Sequence, residues 1–226
     1  MKEKAIILLS GGLDSTTCLA LAASRNLECY TLSFDYGQKQ KAELNMAKLN
    51  SEKYNAKKHF VVNLQSLGEL GGSALTDADI QVPEYQGDNK IPVTYVPARN
   101  TIFLSYAFAF AEVVKAGYIY IGASYVDYSG YPDCRPEFFE AYQHLIGIGS
   151  KYVLEGNELK IATPLLFLSK AETIKLGLEL GVDYSNTISC YDANSKGEAC
   201  GKCDSCTLRK RGFQDANYPD PTKYIS

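Results

Sequence analysis

The chain has 226 residues, of which 46% are hydrophobic, so it can bury one sizeable core. Its formal net charge of −3 and its pI near 5.5 exclude a strong overall attraction to nucleic acid, which favours a small-molecule substrate. The apolar run near the N-terminus is too short for a signal peptide, and no later run is long enough to span a bilayer. We therefore expect a cytoplasmic protein without membrane contacts, whose thiols stay reduced.

Apolar segments bounded by turn residues alternate with segments of helical periodicity along most of the chain. The predicted strands are 5–9, 28–34, 59–64, 118–124 and 159–165, and the predicted helices are 16–23, 39–54, 100–115 and 170–180. Continuous apolar strands separated by helices are typical of a parallel sheet covered on both faces. The prediction is therefore a doubly wound α/β body over residues 1–185, followed by a small metal-binding segment over residues 186–226.

Three local patterns add detail to these elements. Ser169 and Glu172 have the spacing of a capping box, and Gly181 stands where a glycine would end the same helix. The stretch from 67 to 99 is long for an ordinary connection and is expected to be a lid or an interface. The helix at 100–115 is apolar on every side, so we expect it to be buried in the core or against a second subunit.

The turn after the first strand, Ser10 to Ser15 with the sequence SGGLDS, has the composition of a phosphate-binding turn. It opens a helix, so backbone N–H groups and the positive end of the helix dipole meet there. Two glycines let a ligand approach closely, and hydroxyls add donors. The lysine of a Walker loop and the dinucleotide-binding fingerprint are absent. We expect backbone and hydroxyl groups to hold the phosphates, with Asp14 free to bind magnesium.

Four cysteines near the C-terminus have the spacing C-x9-C-x2-C-x2-C: Cys190, Cys200, Cys203 and Cys206. Four thiolates close a tetrahedral shell without an open position, which is typical of structural zinc. An iron–sulfur cluster is the alternative, because the spacing overlaps that of ferredoxins, although the proline that follows the last ferredoxin cysteine is missing. The other cysteines stand alone and are expected to be small buried hydrophobes: Cys18, Cys29 and Cys134.

The SGGLDS turn resembles the signature of the ATP pyrophosphatase, or PP-loop, superfamily, whose members cleave ATP between the α and β phosphates and transfer AMP to a substrate oxygen. Further segments narrow the resemblance to the 7-cyano-7-deazaguanine synthase family. They are FDYGQ (34–38), YVPARN (95–100), DYSGYPDCRPEF (127–138), TPLLFLSKAET (163–173) and the segments SCYDAN and CGKCDSCTLRKRGF (189–213). The resemblance implies an adenine nucleotide alpha hydrolase-like fold, structural zinc, a homodimer and ATP binding by Leu9, Ser10, Gly11, Gly12, Leu13, Asp14, Ser15, Thr16, Thr17, Cys18 and Leu19.

The implied reaction belongs to queuosine biosynthesis and is that of a carbon–nitrogen ligase. It converts 7-carboxy-7-deazaguanine, ammonia and ATP to 7-cyano-7-deazaguanine through an adenylated acid and an amide. Such chemistry needs magnesium with ATP and cations that stabilise developing charge. Arg99 and Lys170 are the candidate catalytic cations, because both lie at strand–helix junctions. The segment that follows residue 126 has groups that suit a guanine-like base and a carboxylate, although it also fits a purely structural turn. The candidate substrate-binding residues there are Asp127, Tyr131, Asp133 and Arg135.

Two other functions fit parts of the pattern. A PP-loop enzyme that thiolates tRNA with an iron–sulfur cluster is one, and the acidic pI weighs against it; a zinc module that binds a nucleotide or a protein without catalysis is the other. Asp35 could bind the ribose of ATP or be an ordinary turn residue. Lys39 and Gln40 stand where the family commonly has Arg-His. No glutaminase segment is recognised, so ammonia would be free or delivered by another protein.

Overall fold

The computed structural model describes residues 2–85, 87, 90–126, 130–194 and 197–225. A five-stranded parallel sheet with the order β3-β2-β1-β4-β5 forms its centre. The strands are β1 Lys4–Leu8, β2 Glu28–Asp35, β3 Lys58–Asn63, β4 Tyr118–Tyr120 and β5 Lys160–Ala162. The helices are α1 Leu13–Ser24, α2 Ala42–Lys53, α3 Gln65–Glu69, α4 Arg99–Val114, α5 Pro136–Gly149, α6 Lys151–Leu154, α7 Lys170–Glu179 and α8 Asp204–Asp215. Every strand overlaps a predicted one, so the predicted doubly wound α/β class is confirmed.

The order of the strands determines where a ligand site can form. Strand β1 is central, pairing with β2 on one side and with β4 on the other. Its residues Ile6 and Ile7 are fully buried and belong to separate cores on opposite faces of the sheet. From β1 the chain first builds outward to β2 and β3, and then returns to add β4 and β5 on the other side. The connections after β1 and β4 therefore diverge and leave a crevice at the carboxyl ends of these strands.

Helix α4 covers one face of the sheet and has an exposed side within one chain. The core alone does not bury it on every side, and burial of the exposed side against a second subunit stays a prediction. Its inward side includes Leu104 and Ala107, both fully buried. Phe103 stacks on Phe34 of β2, with ring centroids 3.9 Å apart. The outward side leaves Val113 78% exposed. Apolar side chains occur on all sides of α4, but within one chain only the inner side packs against other residues.

Helix α5 has no counterpart among the predicted elements. Pro136 lies in its first turn, where the missing N–H costs nothing. Phe139, Tyr142 and Ile146 recur at helical spacing and are buried. The hydroxyl groups of Tyr142 and of Ser105 in α4 are hydrogen-bonded at 2.8 Å, so the two helices are neighbours. Neither α5 nor any other helix in the described part of the chain is both long and apolar enough to cross a membrane.

The long segment between α3 and α4 packs against the rest of the chain as an internal interface. Leu75 is 5% exposed, and its carbonyl oxygen accepts a hydrogen bond of 2.9 Å from the N–H of Lys39. Further along, the N–H of Tyr85 donates to the carbonyl oxygen of Lys202 at 3.1 Å. The described part of this segment therefore connects the end of β2 with the cysteine-rich segment.

Helix α7 begins and ends as its sequence predicts. The Ser169 hydroxyl accepts from the N–H of Glu172 at 3.3 Å, while the Glu172 carboxylate accepts from the N–H of Ser169 at 2.8 Å. These two bonds form the capping box. Gly181 follows the helix with a φ of +73°, in the left-handed region that favours glycine. The orientation of the first turn of α7 is thus set by its own side chains.

Helix α8 shares a core with the body of the protein. Phe213 is 1% exposed and belongs to one apolar cluster with Leu13 of α1 and Ile174 of α7. The division into a body at 1–185 and a metal-binding segment at 186–226 stays a prediction. The packing of α8 shows that the two parts are in close contact.

The contact between α7 and α8 leaves no room for a side chain at Gly212. A Cβ there would lie 2.8 Å from Cβ of Lys170 and 3.0 Å from Cδ1 of Ile174. We expect Gly212→Ala to lower the free energy of unfolding by about 1–3 kcal/mol, because the helices must move apart. Gly147→Ala in α5 is the matched control, since no described atom lies within 4 Å of its Cβ. Urea denaturation measures both, and equal effects of the two substitutions would contradict the packing argument.

Candidate nucleotide site and metal centre

A cleft of about 250 Å³ opens at the carboxyl ends of β1, β2 and β4, at the crevice that the strand order creates. Its apolar side consists of residues at the ends of the strands, including Leu32, Phe34 and Ile121. Its polar side contains the phosphate turn and residues 188–191 of the cysteine-rich segment. The cleft therefore lies between the predicted nucleotide site and the predicted metal centre.

The phosphate turn is closed by its own hydroxyl groups. Gly12 is the N-cap of α1 and has an extended backbone. The Ser15 hydroxyl accepts from the N–H of Ser10 at 3.2 Å and lies 3.0 Å from the Ser10 hydroxyl. The N–H of Gly12 donates to the Ser10 hydroxyl at 3.3 Å. The turn thus leads into a helix N-terminus, which is where anions bind in proteins.

Two glycines, one in this turn and one after β4, let the backbone of the turn pack closely against neighbouring elements. Gly11 has a φ of +86°, and a side chain there would clash with the carbonyl oxygen of Glu43 in α2. On the other side, a Cβ at Gly122, just after β4, would lie 2.9 Å from the carbonyl carbon of Asp14 and 2.9 Å from the nitrogen of Ser15. Backbone therefore contacts backbone on both sides of the turn, which holds its N–H groups in place before a ligand binds.

The residues that the resemblance assigns to ATP binding fall into two groups. Those that line the cleft are Leu9, Ser10, Gly12, Leu13, Asp14 and Ser15. Those that do not line it are Gly11, Thr16, Thr17, Cys18 and Leu19. In the second group, Thr17 donates to the Leu13 carbonyl oxygen at 2.9 Å, and burial raises the pKa of the Cys18 thiol. These buried residues support the turn from behind.

Lys170 and Asp14 form an ion pair beside the turn. The Lys170 Nζ donates to both carboxylate oxygens, at 2.8 and 2.9 Å, and both residues line the cleft. Their side chains are 9% and 29% exposed, so solvent screens the pair only in part. Both carboxylate oxygens of Asp14 thus accept from Lys170, so a magnesium ion would share this carboxylate with the lysine, and magnesium binding at Asp14 stays a prediction.

Arg99, the second candidate cation, lines the same cleft from the first residue of α4. Its guanidinium carbon lies 6.0 Å from the ring centroid of Tyr36. Burial lowers the pKa of Arg99, but Tyr36, Tyr131 and Asp133 around it raise that pKa, and the net shift is upward. The guanidinium thus stays charged inside a partly apolar cleft.

The structure places one of the candidate substrate-binding residues in the cleft. Tyr131 is 4% exposed and lines it. Asp133 is buried outside the cleft lining, where its carboxylate accepts from the N–H of Asn100 at 3.1 Å near the start of α4, and burial raises its pKa. Arg135 is exposed and lines a separate surface pocket. Asp127 lies outside the described residues.

The sequence assigned no role to Asp35 or to Gln40, and the structure places these two residues in different surroundings. The Asp35 carboxylate accepts from Lys41 at 3.2 Å and from Gln65 at 3.1 Å, and it does not line the cleft. Gln40 does line the cleft, and its side-chain amide donates to the Ala193 carbonyl oxygen at 3.2 Å. Gln40 thus joins the segment before α2 to the segment that follows the first cysteine of the quartet.

The four cysteines of the quartet come together as predicted. Their Sγ atoms lie within 4.8 Å of one another: Cys190, Cys200, Cys203 and Cys206. A tetrahedral zinc ion with Zn–S bonds of about 2.3 Å requires sulfur atoms roughly 3.8 Å apart, so the arrangement fits such an ion. The N–H of Cys203 donates to the Cys200 sulfur at 3.4 Å, and the N–H of Cys200 donates to the Cys190 sulfur at 3.2 Å. Gly201, with a φ of +77°, allows the turn between them, and the cluster could hold a metal ion.

Arg209 connects this cluster with the body of the protein. It is 3% exposed and lies in α8, three residues after the last cysteine. Its guanidinium donates to the Thr187 hydroxyl at 2.8 Å, to the Tyr184 carbonyl oxygen at 3.0 Å and to Asp220 at 3.1 Å. Cys190 itself lines the cleft. The cysteine cluster therefore borders the cleft and contributes one residue to its wall.

The cleft lining includes residues that were not among the predicted site residues, and three of them lie between the end of β2 and the first turn of α2: Tyr36, Gln38 and Glu43. Tyr36 and Gln38 belong to the FDYGQ block, so the resemblance marked their position without giving them a role. Glu43 carried no signal, because an acidic residue in the first turn of a helix is ordinarily a surface residue that complements the helix dipole.

Comparison with known proteins agrees with this architecture. The family model described as "Queuosine biosynthesis protein QueC" matches residues 4–217. A protein of Coxiella burnetii named 7-cyano-7-deazaguanine synthase is 60% identical over 224 residues, which cover 99% of this chain and 99% of that protein. A protein of the same name from Legionella pneumophila is 58% identical over 222 residues, covering 98% of this chain and 97% of that protein.

A solved structure shares the fold. The NMN synthetase from Francisella tularensis aligns with a TM-score of 0.52 and 19% identity, over 100% of this chain and 79% of that one. The resemblance deduced from the sequence is confirmed by the family match and by the full-length relatives. On this evidence the chain belongs to the QueC family of queuosine biosynthesis proteins.

Proposed function

We propose that the protein is a 7-cyano-7-deazaguanine synthase, which uses ATP to join ammonia to 7-carboxy-7-deazaguanine and then converts the amide to the nitrile. One observation carries the proposal: the phosphate turn, Lys170 and Arg99 line a single cleft. The printed name of the full-length relatives supports the choice of substrate. A tRNA-thiolating enzyme is not favoured, because these relatives match the chain from end to end.

The chemistry explains why the cleft combines an anion site with cations. A carboxylate resists ammonia because its oxygen is a poor leaving group, and transfer of AMP to that oxygen makes it a good one. The turn would hold the phosphates through N–H groups, while Lys170 and Arg99 would stabilise the charge that develops during transfer. Magnesium bound with ATP would neutralise phosphate charge, with Asp14 as the nearby oxygen donor. Lys170 would then share Asp14 with that ion.

The apolar side of the cleft suits a flat heterocycle. Phe34, Tyr36 and Tyr131 supply aromatic surface there, on which a deazaguanine ring can pack. We propose Tyr131 as a direct contact of the substrate. Asp127, Asp133 and Arg135 stay predictions as substrate-binding residues, and Asp133 would act through the start of α4.

The test of this function follows the substrate by mass. The protein is incubated with magnesium, ATP, an ammonium salt and 7-carboxy-7-deazaguanine. We expect the amide and then the nitrile, with two molecules of AMP formed for each nitrile, because acid and amide are activated in turn. If neither amide nor nitrile appears, the proposed function is wrong.

The same assay tests the role of Lys170. We expect Lys170→Met to lower the rate by about 10²–10³-fold, because it removes one charge that stabilises the α-phosphate while the adenylyl group is transferred. Lys175→Met is the matched control, since Lys175 is exposed on the same helix. A rate for Lys170→Met close to that of Lys175→Met would remove Lys170 from the catalytic machinery.

We propose that the metal is zinc, one ion per chain, with a structural role. The four sulfur atoms lie close enough for a tetrahedral shell, and four thiolates leave no position for water or substrate. The ion would stabilise the cysteine-rich segment, and through Arg209 it would position the cleft wall. The same proposal places the protein in the cytoplasm, where thiols stay reduced and can act as ligands.

Replacing one ligand tests the metal and its role together. We expect Cys203→Ser to lose the ion and about 3 kcal/mol or more of stability, which lowers the Tm by roughly 10 °C. Elemental analysis and thermal unfolding measure both quantities, and visible absorption distinguishes zinc from an iron–sulfur cluster. Cys29→Ser, a buried cysteine outside the quartet, is the control and should keep the ion. Retained metal and Tm with lost turnover in Cys203→Ser would contradict a structural role.

We propose that the protein forms a homodimer through the outer side of α4 and α5. Large apolar side chains on these neighbouring helices are exposed within one chain: Tyr106 44%, Val113 78%, Leu145 47% and Ile148 62%. A patch of this kind favours burial against a second copy, and a closed two-fold arrangement would cover it on both chains. The family resemblance supports the same state.

Light scattering tests the dimer. We expect the wild-type protein to have twice the chain mass of 24.9 kDa, and Val113→Lys to shift it to the monomer because a charge enters the apolar contact. Val61→Lys makes the same change at a valine that is 52% exposed on the edge strand β3 and should leave the dimer intact. A dimeric Val113→Lys protein would place the interface elsewhere.

A further inference from the structure

Glu43 lies in the first turn of α2 with its side chain in the cleft. Its own carbonyl oxygen packs against Gly11 of the phosphate turn. The charged and titratable groups that face its carboxyl are Arg99 from α4 and Tyr36 from the segment after β2. An acidic side chain thus stands within the same cleft as the turn that would hold ATP.

The neighbouring amide of Gln38 holds the Glu43 carboxyl in one position. The Gln38 side-chain oxygen accepts from the N–H of Tyr36 at 2.8 Å, and its nitrogen donates to the Phe34 carbonyl oxygen at 3.0 Å. The same nitrogen donates to Oε1 of Glu43 at 3.2 Å. Because Gln38 is 4% exposed and bound to the backbone of β2 and its continuation, it acts as a rigid support for Glu43.

The cleft offers few other groups that could accept a proton. Among the described residues, Asp14 and Glu43 are the carboxylates that line it. Both oxygens of Asp14 accept from Lys170, whereas Glu43 takes part in no ion pair within the described part of the chain. Burial raises the pKa of Tyr36 and of Cys134 to about 12, so these groups stay protonated. Glu43 is therefore the available base of this cleft.

The proposed reaction requires such a base. When the nitrogen of ammonia bonds to the acyl carbon, the bond from that carbon to the AMP oxygen breaks, AMP leaves with the electron pair, and one N–H proton must be removed. After AMP is transferred from ATP to the amide oxygen, with pyrophosphate leaving, the bond from the carbon to this second oxygen breaks, and AMP again leaves with the electron pair. The nitrogen loses its other two protons as the carbon–nitrogen triple bond of the nitrile forms. One nitrogen thus gives up all three protons.

We propose that Glu43 is the general base that receives these protons, in each case through a carboxylate oxygen that returns the proton to solvent before the next transfer. This assignment rests on the proposed function. Glu43 would contact the ammonia nitrogen, which makes it a catalytic residue, and Gln38 would be a positioning residue.

The environment of Glu43 suits this role. Burial raises its pKa from the usual 4.5 to about 7, while the hydrogen bond from Gln38 and the charge of Arg99 oppose the shift. A general base works best when its pKa lies near the working pH. Because only the ionised form accepts a proton, the rate of amide formation should rise as the pH increases through about 7.

The experiment separates activation of the acid from attack by ammonia. With the rate expressed per concentration of free ammonia, Glu43→Gln should lower amide formation by about 10²–10⁴-fold and remove its dependence on pH near 7. Substrate-dependent exchange of labelled pyrophosphate into ATP, which reports adenylation alone, should stay near the wild-type rate. Hydroxylamine, a stronger and largely neutral nucleophile, should still trap the adenylate in this variant. Glu52→Gln, an exposed position on α2, is the matched control.

The raised pKa of Glu43 also provides a control for the folding of the Glu43→Gln variant. Because the pKa of Glu43 in the folded protein lies above its unfolded value, ionised Glu43 disfavours the fold above pH 7. The Tm of Glu43→Gln at pH 8 should therefore be no lower than that of the wild type.

The outcomes are distinguishable. If the wild type makes neither amide nor nitrile, the proposed function fails and the role of Glu43 fails with it. If the wild type is active and Glu43→Gln makes amide at the same rate, only the role of Glu43 is overturned. If pyrophosphate exchange and amide formation fall together in a folded Glu43→Gln protein, Glu43 serves ATP binding and the assignment as a base is also overturned.

Discussion

The ion pair between Lys170 and Asp14 joins two parts of the chain that are 156 residues apart and places both at one site. Each residue lies in the first turn of a helix, α7 or α1, so two helix N-termini with their positive dipole ends approach the same place. With the ammonium of Lys170, this region has an excess of positive potential that one carboxylate offsets only in part. The phosphate turn, the capping box and the packing of α8 all contribute to holding this pair together.

The cysteine cluster is connected to the cleft through the contacts of Arg209 and Cys190. In the described residues after 186, the long helix is α8, and the part around the four cysteines has mostly irregular backbone with a small buried cluster. Four ligands to one ion would supply constraints that a small core cannot. Arg209 in α8 would connect the ion site to the body of the protein, because its guanidinium donates hydrogen bonds to Asp220, to Thr187 and to the Tyr184 carbonyl oxygen. With an ion bound, the wall of the cleft around Cys190 would depend on coordination as well as on packing.

The sequence predicts those features that depend on nearby residues. The apolar runs give all five strands, the Ser169 capping box gives the start of α7, and the cysteine spacing gives the cluster. Features that depend on distant partners had no local signal in the sequence: the ion pair between Asp14 and Lys170 is one, and the side of α4 that stays exposed within one chain is another. Asp133 lies outside the cleft lining, where its carboxylate accepts from the N–H of Asn100, and Arg135 lines a separate surface pocket. Neither contact has a local signal in the sequence. No pattern in the neighbouring sequence indicated that Glu43 is a site residue, because its burial arises from tertiary packing.

The glycines at 11 and 122 have a consequence for the thermodynamics of binding. Because backbone touches backbone on both sides of the phosphate turn, its dihedral freedom is lost when the protein folds and not when ATP arrives. A ligand that binds at such a preformed turn loses little of its interaction free energy to the ordering of the protein. More of the free energy of the phosphate contacts is then available for affinity, which favours nucleotide binding through N–H and hydroxyl groups at a turn without the Walker lysine.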